Sequence, residues 1–201
     1  MRFSLLLVLA VAASGCVRGY DAIAYDSPEF VTANTDEGLT FAYLYDAQPG
    51  YYGRKANDRG YSIVAVRVAN ETAAPVLLDR NTLQIRYGDE TIVPVRPDIV
   101  ADDIDQPVLN KLLWGLLNVT FYSGSGDPTF IPSGPFLAGG FIIASMHNNG
   151  RMEDGLVEGD LFGQTVPAGG AVEGVITIRR TGRPPLTFDV VPDATPAATL
   201  R

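Results

Sequence analysis

The feature that most constrains the fold is a set of short segments in which apolar residues alternate along the chain between turn-forming residues. The strongest segment is YSIVAVRVAN, residues 61–70. In an extended chain its two sides carry Val64, Val66 and Val68 on one face, and Ile63, Ala65 and Arg67 on the other. Because both sides are mostly apolar, we predict a central strand that is covered on both faces.

Three further segments alternate in the same way, with one apolar side each. Their apolar sides carry Leu83, Ile85 and Tyr87; Val172, Gly174, Ile176 and Ile178; and Leu186, Phe188 and Val190. A period of two places every second side chain on one face of a sheet. We therefore predict that Val66, Ile85, Ile176 and Phe188 point into the core. Pro94 follows another short apolar segment and favours an edge strand there.

The middle of the chain has a different pattern. In residues 108–119 the leucines fall at helical spacing, at positions 109, 112, 113, 116 and 117. This predicts an amphipathic α-helix whose leucine side packs within the domain. Residues 136–146 form an unbroken apolar run of 11, which is too short to span a bilayer. We predict a buried helix or an interfacial segment.

Together these patterns predict a mainly β protein. Short turns between the alternating segments favour antiparallel pairing, and we expect a β-sandwich in a single domain, residues 39–191, with a helical insertion at about 106–147. Residues 16–38 are expected to form a tether and a candidate first strand. Residues 192–201 are expected to form a flexible tail.

The N-terminus has the form of an export signal. Arg2 precedes an apolar run from Leu5 to Ala13, which is too short for a membrane-spanning helix. Ala13-Ser14-Gly15-Cys16 follows and resembles the lipobox of bacterial lipoproteins. The resemblance implies that residues 1–15 are a signal peptide and that the Cys16 thiol is lipidated. The alternative is an ordinary signal peptide that is cut nearby, for example after Ala10-Val11-Ala12.

The lipobox resemblance also implies a location. A lipid on Cys16 would hold the protein to a membrane, and two or more acyl chains give stable anchoring. In many Gram-negative lipoproteins an Asp directly after the lipidated Cys retains the protein in the inner membrane. Val17 stands at that position here, which favours the outer membrane, facing the periplasm.

A second resemblance concerns the mature part of the chain. The series VAVRVANETAAPV, IVPV, VPAGGAVEGVITI and PLTF is similar to uncharacterised exported domains with an immunoglobulin-like fold. The similarity rests on a strand that ends at Asn70 before a Pro-containing turn, and on the turn of residues 167–170 that opens a late strand. It implies an immunoglobulin-like antiparallel β-sandwich, from which the helical middle departs.

Composition excludes several classes of site. The chain has one Cys and one His, which excludes an internal disulfide, a multi-thiolate metal site and a His-paired metal motif. The formal net charge is -8, which argues against a nucleic-acid partner. No cofactor motif is present, and we expect the protein not to be an enzyme.

Two weaker candidates for chemistry remain. His147 lies near Ser145 and Asp154, although we expect it to be a surface or helix-end residue. The densest acidic stretches are Asp98, Asp102, Asp103 and Asp105, and then Asp154, Glu158 and Asp160. Either stretch offers oxygen ligands for a cation such as Ca²⁺, but without EF-hand spacing. A dipole or capping role near a helix start is the simpler interpretation of the first.

The segment 46–60 is the candidate recognition site. It contains Pro49, Gly50, Gly53 and Gly60, which predict a long loop. Its aromatic and basic residues are Tyr51, Tyr52, Arg54, Lys55 and Arg59. Tyr and Arg are enriched at binding hot spots, and long loops on a rigid scaffold often carry recognition.

These observations lead to one hypothesis with two alternatives. The leading hypothesis is a lipid-anchored envelope protein that acts as a non-enzymatic binding or assembly module with an envelope protein partner. The alternatives are a carboxylate- or metal-dependent hydrolase and a carrier of apolar ligands.

Overall fold

The computed structural model describes residues 17–25, 27, 29–116, 119–121, 129–180 and 182–191. The predicted signal peptide, Cys16 and the predicted tail of residues 192–201 lie outside the described residues. The chain divides into two compact units. We call Asp21–Ile104 with Glu153–Arg201 the sheet unit, and the described part of Met1–Tyr20 with Asp105–Met152 the insertion unit. The expected insertion at about 106–147 falls within the second unit.

The elements follow one another in a mixed order of strands and helices. They are β1 (Val31–Asp36), β2 (Leu39–Leu44), α1 (Gly50–Asp58), β3 (Ser62–Asn70), β4 (Val76–Leu77), β5 (Leu83–Tyr87), β6 (Glu90–Ile92), α2 (Pro97–Ile104), the 3-10 helix η1 (Leu109–Leu116), β7 (Val119–Phe121), β8 (Thr129–Ile131), α3 (Ser133–Val157), β9 (Thr165–Val166), β10 (Ala171–Ile178) and β11 (Leu186–Val190).

The strands pair into antiparallel sheets, which confirms the mainly β prediction. One sheet has the order β1-β2-β3-β10, and a second has the order β11-β5-β6. The pairs β4-β9 and β7-β8 form two-stranded ribbons. The strand before Pro94, β6, lies at the edge of its sheet, as predicted.

The two larger sheets share one hydrophobic core within the sheet unit. Val66 of β3, Ile176 of β10, Ile85 of β5 and Phe188 of β11 are all buried in it, which confirms the four predicted core positions. Phe41 of β2 stacks on Phe188, with ring centroids 4.9 Å apart and planes within 9°. Aromatic and branched side chains from both sheets therefore interdigitate across this core.

The central strand β3 is buried on both faces, as its two-sided apolar pattern predicted. It lies between β2 and β10, and its Val64, Val66 and Val68 face the shared core. Ile63 and Ala65 on the other face are also buried. Helix α1 packs on β3 and on α2.

The segment 46–60 is not the long loop that we predicted. Residues Gly50–Asp58 form α1, with the extended Pro49 at its N-cap. Proline is tolerated at a helix start because the first N–H groups have no partner inside the helix. Gly60, with φ of +78°, donates its N–H to the Asn57 carbonyl and closes the other end. The turn-forming residues therefore lie at the two ends of a helix and do not form a loop.

Asn70 fastens the end of β3 to the turn that follows. Its buried side-chain Nδ2 donates to the carbonyls of Ala74 and Val166, at 2.8 and 3.2 Å. Its Oδ1 accepts from the backbone N and the hydroxyl of Thr72, at 2.9 and 2.7 Å. The amide thus bonds on both sides, to the turn and to β9.

We expect Asn70→Ala to destabilise the protein markedly. Each buried polar group left without its partner costs roughly 1–3 kcal/mol, so the expected loss in the free energy of unfolding is about 3 kcal/mol. Urea unfolding followed by circular dichroism measures it. Asn81→Ala, at an exposed turn position of the same unit, serves as the control. Equal midpoints for the two variants would show that the Asn70 network is not needed for stability.

In the insertion unit, the predicted amphipathic α-helix over 108–119 is wrong in both type and burial. The described residues form η1, a 3-10 helix. With three residues per turn, the leucines spread over two faces, Leu109 with Leu112 and Leu113 with Leu116. All four are exposed, with Leu109 at 80%. The prediction that the leucines pack within the domain is therefore wrong for these four positions.

Residues 136–146 are helical as predicted and lie within α3. Their apolar side chains are not uniformly buried, however. Phe136, Ile143 and Met146 are exposed, while Ala138 and Ser145 are buried. No helix among the described residues is long and apolar enough to cross a bilayer.

Candidate functional site

The first described residues are bonded to the rest of the insertion unit. The Arg18 backbone N–H donates to Gln106 Oε1 at 3.0 Å, and Gln106 Nε2 donates to the Arg18 carbonyl at 2.7 Å. The Tyr20 N–H donates to Asn148 Oδ1 at 3.2 Å. This part of the predicted tether is therefore held in place.

Gln106, which makes both hydrogen bonds to the Arg18 backbone, is in turn bonded to Asn149 of the same unit. The Gln106 backbone N–H donates to Asn149 Oδ1 at 2.9 Å, and Asn149 Nδ2 donates to the Gln106 carbonyl at 3.1 Å. Gln106 and Asn149 are both buried. Two amide side chains thus link the segment after position 16 to α3. Nothing in the sequence pattern pairs these residues, because they are 88 and 43 positions apart along the chain.

The insertion unit carries a large set of exposed apolar side chains, which we call the apolar surface. They are large aliphatic or aromatic residues between 45% and 81% exposed: Leu109, Leu112, Leu113, Leu116, Phe130, Ile131, Phe136, Ile143 and Met146. Exposed apolar residues scattered singly are normal in soluble proteins. Nine of the fourteen large apolar side chains that are exposed among the described residues belong to Asp105–Met152, and a high concentration of such side chains is typical of surfaces that contact a partner or a membrane.

Helix α3 has its small residues inside and its large apolar residues outside. At 100° per residue, Phe136, Ile143 and Met146 fall within about 80° of one another around the helix axis. On the opposite side, Gly134, Ala138, Ser145 and Asn149 are buried. A helix of a soluble core has the reverse arrangement. Small residues at helix contacts and large apolar residues outside are typical of proteins in lipid.

Contacts between η1 and α3 hold the two groups of exposed residues in one unit. The Trp114 ring meets the Phe141 ring edge to face, with centroids 5.7 Å apart. A Cβ on Gly115 would lie 3.7 Å from the Ala138 Cβ, an ordinary contact distance. In η1, therefore, Trp114 and Gly115 lie against α3, and Leu109, Leu112, Leu113 and Leu116 are exposed.

The formal charge is distributed unequally between the two units. From residue 17 onward, the insertion unit has three basic residues, Arg18, Lys111 and Arg151, and two acidic ones, a net charge of +1. The sheet unit carries the remainder, a net charge of -10. Arg151 stacks over the Tyr20 ring, with Cζ 5.6 Å from the centroid. The acidic excess of the chain is therefore carried by the sheet unit.

The candidate recognition residues do not form one exposed cluster. Tyr52 is fully buried, and its ring meets that of Tyr51 at 5.3 Å. Arg54 and Arg59 are exposed, and Tyr51 and Lys55 are half-buried. Tyr51, Arg54, Lys55, Asn57 and Asp58 line an open depression of about 370 Å³ on the outer side of α1. Tyr52 is therefore a core residue, and what remains of the predicted site is a face of a helix.

The structure separates the histidine from its nearest candidate partner. Ser145 is buried and His147 is exposed, because positions two apart on a helix point in opposite directions. They cannot act together as a nucleophile and base in this arrangement.

Three residues of the acidic stretches are engaged in other contacts. Asp98 pairs with Arg96 at 2.6 Å in the first turn of α2, and Asp160 pairs with Arg80 at 2.8 Å. Asp103 accepts a 2.5 Å hydrogen bond from the Tyr61 hydroxyl, and this bond, together with burial, raises the pKa of Tyr61. Among the described residues, no group of three or more His, Cys, Asp or Glu is placed to hold a metal ion.

Comparison with protein-family models, with curated proteins and with solved structures gives no match for this chain. The functional argument therefore depends on the chain's own residues.

Proposed function

We propose that the chain is a lipid-anchored protein of a bacterial cell envelope. The observation that carries the proposal is the sequence Ala13-Ser14-Gly15-Cys16, which places the single cysteine directly after the small residues of a lipobox. Removal of residues 1–15 leaves Cys16 as the first residue, with diacylglycerol on its thiol and an acyl group on its amine. Val17 at the following position favours the outer membrane, facing the periplasm.

The hydrogen bonds of Arg18 and Tyr20 support this proposal. A lipid on Cys16 needs a folded attachment point if it is to position the protein rather than merely retain it. The clamp of Gln106 on the Arg18 backbone begins two residues after the cysteine. The anchor therefore attaches directly to the insertion unit.

We further propose that the sheet unit is an immunoglobulin-like β-sandwich. Its support is the shared core of two antiparallel sheets, with Phe41 of one stacked on Phe188 of the other. The consecutive strands β1-β2-β3 lie side by side in one sheet, which differs from the strand order of immunoglobulin domains. The likeness therefore concerns the architecture of two facing sheets and not the connections.

The role that fits this arrangement is binding or assembly rather than catalysis. Rigid sheet scaffolds host many unrelated roles, so the role has to be argued from a surface. On the sheet unit we propose the outer side of α1 as that surface, because Tyr51, Arg54 and Lys55 line its depression. Aromatic and Arg side chains on a rigid element are the residues that dominate interface energies.

Cys16→Ser is the decisive test of the anchor. Without the thiol no diacylglyceryl group forms, so we expect labelled palmitate to vanish from the protein, which is then found as uncut precursor or in the soluble fraction. Cells are labelled and fractionated to measure both. Ser14→Ala, which keeps a small residue in the lipobox, is the control and should be labelled normally. Undiminished labelling and membrane retention of the serine variant would refute the proposal.

The proposed binding surface is tested by site-specific photo-crosslinking in intact cells. A photoreactive residue at position 54 should give discrete adducts with an envelope protein. The control is the same residue at position 89, an exposed turn of the sheet unit. Identical adduct patterns at both positions, or none at position 54, would exclude α1 as the binding surface.

A further inference from the structure

We propose that the apolar surface of the insertion unit lies in the interface of the same membrane that carries the lipid on Cys16. The contact would be a second, protein-mediated membrane attachment. The inference rests on the proposed lipid anchor. The proposed occupant of the apolar surface is a phospholipid bilayer.

Position along the chain is the first argument. Arg18 and Tyr20 are bonded to Gln106 and Asn148 of the insertion unit, so an acyl chain on Cys16 begins two residues before the first of these bonds. The exposed leucines of η1 follow Gln106 by three to ten residues. The unit that receives the anchor is therefore the unit that carries the exposed apolar side chains.

The type of surface is the second argument. Leu, Ile, Phe and Met side chains point outward from η1 and α3, while Gly134, Ala138 and Ser145 are inside. The outward apolar side of α3 covers its first 14 residues, Ser133 to Met146, and His147 and Arg151 follow it. An apolar helix side that is followed by cationic residues is suited to the interface, where long cationic side chains reach the headgroups.

Charge is the third argument. Anionic lipid repels a strongly acidic surface, and the whole mature chain has a net charge of -9 once the signal peptide is removed. The insertion unit, at +1, carries none of this excess. Its cations include Arg18 next to the anchor, Lys111 among the leucines of η1, and Arg151 on α3. Electrostatics therefore permits the insertion unit, and not the sheet unit, to contact anionic headgroups.

Two other occupants would account for the same exposed residues. One is a second copy of the chain, joined through the leucines. The other is the apolar run from Leu5 to Ala13, should it remain attached. The experiment is arranged so that each of these gives its own result.

The test uses Trp114, the single tryptophan of the chain. The lipidated protein is purified, and mass spectrometry first establishes that it begins at acylated Cys16. It is then reconstituted into phosphatidylethanolamine–phosphatidylglycerol vesicles, with or without bromine atoms on the acyl chains. Because bromine quenches tryptophan only at close range, we expect Trp114 emission to fall at least twofold in the brominated vesicles.

The matched variants are Leu113→Gln with Leu116→Gln on η1, and Leu77→Gln on β4 of the sheet unit. All three leucines are exposed, so the substitutions leave the packed cores intact. The η1 double variant should lose most of the quenching while it remains attached through its lipid. The Leu77 variant should be quenched like the parent.

The outcomes separate the inference from the anchor proposal. Equal Trp114 emission in both vesicle types, with the protein still bound, overturns the membrane contact and leaves the anchor standing. If the protein then sediments as a dimer that the η1 double variant disrupts, the occupant is a second copy. A purified protein that begins before Cys16 and has no acyl group overturns the anchor, and the inference with it.

Discussion

Replacing Phe188 with alanine should give the largest loss of stability of any single truncation that we propose. The ring is completely buried between the two sheets and stacks on Phe41 at 4.9 Å. Truncating a buried Phe to Ala costs about 3–5 kcal/mol, because the transfer free energy is lost and a cavity remains. Total stabilities of single domains are about 5–15 kcal/mol. We therefore expect Phe188→Ala to leave the sheet unit barely stable.

Chemical denaturation of the variant and the parent measures this loss. Thr187→Ala, on the opposite side of β11, is the control and should change the free energy of unfolding by less than about 1 kcal/mol. A double-mutant cycle with Phe41→Leu would isolate the stacking contribution, which is about 0.5–1.5 kcal/mol for aromatic pairs. If Phe188→Ala is as stable as the control, the assignment of Phe188 to a core shared by the two sheets is wrong.

The second large effect concerns Gly53 in α1. A Cβ built on this residue would lie 1.8 Å from the Gln48 backbone carbonyl oxygen, far inside any real contact. Overpacking costs roughly 1–3 kcal/mol and sometimes more, and a backbone atom yields less readily than a side chain. We expect Gly53→Ala to lose about 3 kcal/mol, although alanine favours helices by up to about 1 kcal/mol over glycine.

Asp58→Ala, an exposed position of the same helix, controls for the general effect of adding an alanine to α1. Thermal unfolding should show the glycine variant well below both the control and the parent. A Gly53→Ala protein that is more stable than the parent would mean that α1 does not approach the Gln48 carbonyl closely. In that case the long-loop interpretation of residues 46–60 would regain its basis.

The strands could be predicted because their signal is local. Alternation along β5 and β11 needs only successive residues to be compared, and a period of two assigns each side chain to a face. The two-sided apolar pattern of β3 also predicted its central place, because a strand covered on both faces needs apolar residues at every position. The sequence pattern had already assigned the faces of β3 and β10 correctly. The structure adds which residue of β10 pairs with which residue of β3, although the two strands lie about 100 residues apart in the chain.

The helices were harder to predict from the sequence because Pro and Gly occur both in loops and at helix ends, and because leucines at helical spacing fit more than one type of helix. Pro49 and Gly60 were interpreted as loop residues, yet in the structure they lie at the two ends of α1. In η1 the leucine spacing indicated an α-helix, but a 3-10 helix divides the same positions between two faces. Residue spacing favours 3.6 residues per turn here but does not fix it, and the number of residues per turn decides which side chains share a face.

By itself, the sequence predicted an export signal with a lipobox at Cys16, which stays a prediction, and it determined the faces of the main strands and the single Cys and single His available for metal or nucleophilic chemistry. Each of these depends on residues that are adjacent in the chain, or simply on how many there are. Only the tertiary structure decided that Gln106 and Asn149 fasten the segment after Cys16, that Tyr52 belongs to the core, and that the leucines of η1 face outward. Those outcomes depend on groups that are distant in sequence and meet only when the chain folds, because burial and hydrogen bonding are properties of neighbours in space.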